Sequence, residues 1–133
     1  MPASDSGASA GGGPLDAASV QRLDATLLPA VQRHALRVLA HSLATFQQMA
    51  DSESAGTLPD DGRRLEWCRN QPVLREDPAF TRQFLDQLAV AGRQLERLAD
   101  QRGLQPLELS LDVLIEDAET TARALIEAPE PPP

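Results

Sequence analysis

The sequence predicts an all-α fold, a small bundle of about four helices, and three observations carry that prediction. The first is a helix framed at both ends. In DPAFTRQFLDQLAVAGRQLERLADQRG, residues 77–103, Asp77 can accept from the free N–H groups of a first turn and Pro78 suits the first helical position. Arg102 favours the negative end of the helix dipole, and Gly103 can take the left-handed conformation that closes many helices. The second is the periodicity inside that frame: Phe84, Leu88, Ala91, Leu95 and Leu98 alternate at four and three, an apolar stripe widened by Phe80 and Leu85. The third is its recurrence at Leu36, Leu39, Leu43, Phe46 and Ala50, so the two stripes are expected to pair face to face. Each covers little more than two heptads, which favours a bundle core over a coiled coil.

In chain order, residues 1–14, MPASDSGASAGGGP, are too small and polar to offset the entropy of ordering and read as a disordered tail. Gly7, Ser9 and Gly11 spell a hydrolase nucleophile elbow by letters alone, without the flanking strand and helix that motif requires. A helical domain is expected over 15–128. It opens with a piece carrying Val20, Leu23 and Leu27, broken between Leu28 and Pro29, because proline disrupts a helix at the preceding residue. After the second helix, DSESAG and Pro59 to Gly62 read as loop and turn. RRLEWCRN is then a short helix over 63–70 stopped by Pro72, with Leu65, Cys68 and Trp67 as its inward candidates. Past Gly103, a turn at Gln105 and Pro106 precedes a helix that starts near Leu107 or Ser110 and runs to Glu127. It is expected to bury Leu111, Leu114, Ile115, Ala118, Ala122, Leu125 and Ile126. PEPPP, residues 129–133, ends the chain as a stiff Pro-rich tail.

Composition excludes several chemistries. The 12 basic residues are all Arg, so a phosphate-loop lysine, a Schiff base and a lysine base are absent, and the net charge of −8 opposes nucleic acid and anionic lipid. One cysteine, Cys68, makes no internal disulfide, and MPASDSG has neither a basic nor an apolar leader segment; a cytoplasmic location is expected. No apolar run reaches the roughly 18 residues of a membrane span. His34 and His41 stand about 10.5 Å apart along a helix, too far to share one metal ion easily, and no cofactor or metal is expected.

Charge is unevenly placed: 1–57 carries three Arg and five acids, 58–103 eight and eight, and 104–133 one and seven. Two candidate partner surfaces follow. Asp112, Glu116 and Glu119 recur at helical spacing and would face a basic partner, unless arginines of the chain itself neutralise them. Arg63, Arg64, Arg69 and Arg75 look like a basic cluster and with Trp67 form the other, although interleaved acids make a salt-bridged surface the simpler account.

From Leu95 to Ala118 the chain reads L-x-x-L-A, then Gly103, then Glu108-Leu109 and a second apolar-periodic helix. That segment resembles the helix-turn-helix part of ribbon-helix-helix repressors, which implies DNA binding. Those proteins read DNA with a basic or polar strand ahead of the first helix, where this chain has FLDQLAV, so no site residue carries over. The expected function is instead a non-enzymatic protein–protein interaction module: an adaptor, assembly factor or small regulator, with a homodimer as one form it takes. The alternatives are that DNA-binding regulator and an enzyme built on a carboxylate such as Glu66 or Glu116.

Overall fold

The computed structural model describes residues 15–50 and 55–127. The expected tails at 1–14 and 129–133, and residues 51–54 of the loop, lie outside them. Among the described residues the fold is all-α, as the periodicities require, with six α-helices and no strand. They are α1 (Ala17–Asp24), α2 (Ala30–Met49), α3 (Asp61–Arg69), α4 (Pro72–Arg75), α5 (Pro78–Arg102) and α6 (Leu111–Glu127), with a 3-10 turn, Pro106–Glu108, before the last. The chain divides into two compact units, one holding residues up to Ala40 and from Ser110 onward, the other His41–Leu109. The first boundary falls inside α2.

In the first unit α1 begins on Asp16, whose carboxylate accepts from the Ser19 N–H at 2.7 Å. That bond stabilises the charged form and lowers the Asp16 pKa. The helix stops at Asp24, ahead of the expected break at Pro29, and the Thr26 hydroxyl donates to the Leu23 carbonyl at 2.8 Å. Residues 27–29 therefore lie outside any helix, and Leu27, read as part of the first helical piece, is 98% exposed while Leu28 is buried. Leu23, Leu36, Leu39, Ala40, Leu114 and Ala122 are buried with it. Burying a Leu of this kind contributes about 1.5 to 3 kcal/mol. On α6 the expected stripe fails at its end: Leu125 is 64% exposed and Ile126 77%, because the buried face stops at Ala122.

In the second unit α5 has both predicted ends. Asp77 accepts from the Phe80 N–H at 3.0 Å, Pro78 occupies the first turn, and Gly103 is left-handed at φ 70°. Leu104 N–H then reaches the Ala99 carbonyl at 2.9 Å and Gly103 N–H that of Asp100 at 3.2 Å, the paired bonds of a Schellman close. Leu88, Ala91, Leu95 and Leu98 are buried as read. The stripe widens through Gly92 and Ala99, however, and not through Phe80, which stands 46% exposed on the first turn.

Gly92 explains the widening. A Cβ there would lie 3.3 Å from Leu58 Cδ1 and 3.5 Å from both Phe46 Cζ and Arg64 Nη2, so the ring on α2 reaches α5 where the side chain is missing. Pro72 starts the one-turn α4 where a stop was expected, since its missing N–H costs nothing at the first helical position. Gly56, past α2, is held by a backbone bond. Gly56, at φ 89°, accepts from the Leu107 N–H at 2.9 Å, and the Leu107 carbonyl accepts from Gln47 Nε2 at 3.1 Å. An added Cβ at Gly56 would stand 2.8 Å from Gln105 Cβ, so glycine is required on two counts.

Candidate functional site

The arginines at the start of α3 serve the fold. Arg63 Nε donates to the Met49 carbonyl at 2.9 Å, satisfying one of the orphan acceptors at the end of α2, and its Nη1 pairs with Glu66 at 2.6 Å. Arg64 Nε donates to the Pro59 carbonyl at 2.9 Å, its Nη1 lies 3.7 Å from Asp61, and its guanidinium sits 4.9 Å from the centroid of the Phe46 ring. Asp60 caps the same helix, accepting from Arg63 N–H at 2.8 Å. Trp67 is half-buried and stacks on Phe84 of α5, ring centroids 6.2 Å apart.

The far end of α3 differs. Leu65, expected inward, is 37% exposed, and with Cys68 and Arg69 it lines one groove together with Leu74 and Arg75 of α4 and Thr81, Arg82, Leu85 and Asp86 of α5. The α5 residues fall at helical spacing from Pro78, on one face of that helix. Together these residues enclose an open groove of about 520 Å³. Its floor is apolar and its rim carries three guanidiniums to one carboxylate. Arg69, Arg75 and Arg82 are exposed and make no ion pair among the described residues. Cys68 lies buried at the floor, where loss of hydration pushes its thiol pKa up, the reverse of what a nucleophile needs.

In the other unit, Asp112, Glu116 and Glu119 are all exposed on α6. The cation that meets Asp112 is Arg22 of α1; none of Arg63, Arg64 and Arg69 was needed for it. A second hollow of about 520 Å³, lined by Leu27, Leu28, Pro29, Glu119, Ala122, Arg123 and Ile126, lies in this unit. Among the described residues no group of three or more His, Cys, Asp or Glu could hold a metal ion, and no helix is long and apolar enough to cross a membrane. Ahead of Leu95, α5 is unbroken helix from Pro78, so the ribbon that a ribbon-helix-helix protein needs is replaced by helix.

The basic cluster read from the sequence holds Arg69 and Arg75 but not Arg82, Leu85 and Asp86, their counterparts across the groove. Their spacing from Pro78 marks a second face of α5, yet nothing in sequence says that α3 lies along it.

Residues 15–125 match the family described as NDH complex assembly factor CRR9. The chain belongs to that family. The CRR9 match begins just before α1 and ends within α6, so it takes in both compact units, the groove and the acidic α6 face. No curated protein and no solved structure matches the chain.

Proposed function

We propose that this protein is a non-enzymatic assembly factor for the NDH complex that acts by docking a protein component of that complex. The observation that carries the reading is the CRR9 family match over residues 15–125, which takes in both folded units. The side chains support a binding role over a catalytic one. The Cys68 thiol is buried and held protonated, Glu66 is exposed and tied to Arg63, and Glu116 is exposed on α6. The exposed helical faces are what remains to act with, and a protein partner is what such faces suit.

The test is removal of the protein from its native host, followed by native-gel separation of the NDH complex. Mature complex is expected to fall and partial assemblies to accumulate, with the protein itself migrating among the partial assemblies and not with the finished complex. An NDH complex of unchanged abundance in the deletion strain overturns the reading.

A further inference from the structure

We propose that the groove between α3, α4 and α5 is the docking site, and that its occupant is an acidic amphipathic helix of the partner protein. The assembly-factor reading supplies only the source of that helix; the groove's chemistry stands apart from it. Arg69, Arg75 and Arg82 surround the groove against the single carboxylate of Asp86, in a chain whose net charge is −8. Arg22, Arg37, Arg63 and Arg64 each pair with a carboxylate of the chain, whereas the three groove arginines, like Arg33, Arg93, Arg97 and Arg123, make no ion pair among the described residues; what sets the three apart is that they line one groove. Guanidinium groups take carboxylates in a bidentate, directional way, so a set of three selects an acidic ligand.

The floor narrows the choice further. Leu65 stands 37% exposed beside half-buried Leu85, an apolar strip that a free anion would leave wet and an amphipathic helix would cover. A volume of about 520 Å³ lies within the roughly 300 to 1,000 Å³ of ligand-sized sites, room for a few apolar side chains from one helix face. Polyanionic nucleic acid is disfavoured by the charge of the whole chain, and the groove lining holds no aromatic ring on which a base could stack.

The experiment uses the full chain and a fluorescent synthetic peptide of about four helical turns, with Leu on one face and Glu flanking it, read by anisotropy. Binding is expected at low salt, weakening as salt rises. The double variant Arg69→Glu with Arg82→Glu is expected to bind at least about tenfold more weakly, and a peptide with Lys for every Glu to lose binding to a similar degree. Arg22→Glu, in the other unit, should leave binding unchanged. Melting curves accompany each variant, and if the double reversal unfolds, Arg69→Gln and Arg82→Gln singly give the same reading. Failure of the acidic peptide to bind, equal binding by the reversed variant, or equal binding of the Lys peptide overturns the proposal. Sedimentation showing self-association that the reversal abolishes would make the occupant a second copy and overturn it likewise. A groove that binds the acidic peptide in a protein whose deletion spares the NDH complex would overturn the assembly reading alone.

Discussion

Arg63 and Arg64 open α3 and Arg69 closes it, yet the first two are committed to acceptors inside the fold while the third faces solvent. The difference lies in what each guanidinium finds within reach. Arg63 meets the bare carbonyl end of α2, and Arg64 meets a loop carbonyl and an aromatic face. Arg69 makes no such bond, and lines the groove with its apolar floor, two more cations and the single carboxylate of Asp86. A run of arginines is therefore not one basic patch. Its members divide into clamps and contacts by the geometry of neighbouring helix ends, and charge counting cannot separate them.

Substitutions sharpen that division, and the largest effect is expected in the core that both groups border. Leu95→Asp puts an unpaired carboxylate on a fully buried site, costing several kcal/mol against a domain stability of roughly 5 to 15, and should unfold the His41–Leu109 unit. Leu65→Asp, at the partly open groove, should leave the helical circular-dichroism signal intact. Equal loss in both would place the groove inside the core.

Next comes the clamp itself. Arg64→Ala removes a charged hydrogen bond to Pro59 and the guanidinium over Phe46, an expected cost of about 2 kcal/mol in urea unfolding. Arg69→Ala should stay within about 0.5 kcal/mol. If the two variants melt alike, the distinction between clamp and contact fails.

Cys68→Ala, at the groove floor, is expected to cost about 1 kcal/mol as a small cavity. The native thiol should also resist a thiol reagent at neutral pH. Because burial raises its folded pKa, the neutral thiol's contribution is fully present below the unfolded value of about 8.5 and is lost as pH rises through the folded value. An alkaline stability loss that persists in Cys68→Ala would assign it elsewhere.

The smallest effect is expected on α6. Asp112→Arg faces Arg22 across an exposed ion pair, so stability should change by less than about 1 kcal/mol. Combined with Glu116→Arg it tests whether that acidic face steers a basic partner: slower association with weaker salt dependence supports steering, and unchanged association leaves the arginine groove as the contact.

The helices that sequence located best carry their own punctuation. Asp77, Pro78 and Gly103 announce α5 without help from the rest of the chain, and the stripe from Leu88 to Leu98 follows from 3.6-residue periodicity. What sequence missed depended on neighbours. Gly92 and Ala99 are buried because small residues admit another element, a property hydropathy does not register, while Phe80 and Ile126 are apolar at the right spacing but lie where the buried layer has ended, and Leu27 falls past the end of its helix at Asp24. Candidate site residues fared the same way. Cys68 was readable as a buried thiol, but whether Arg63, Arg64 or Arg69 faces outward rests on tertiary partners that spacing alone does not reveal.

The clasp between Leu107 N–H and the Gly56 carbonyl has a consequence for the order of folding. It joins the two edges of the stretch that contains α3, α4 and α5, whose own hydrogen bonds are local and form on microsecond scales. A contact so distant along the chain must first overcome loop closure, so it belongs to the late steps of assembly and the early steps of opening. The Leu107 amide is then a reporter that should exchange with solvent through partial opening of this unit, well before the amides of α5 are released by global unfolding.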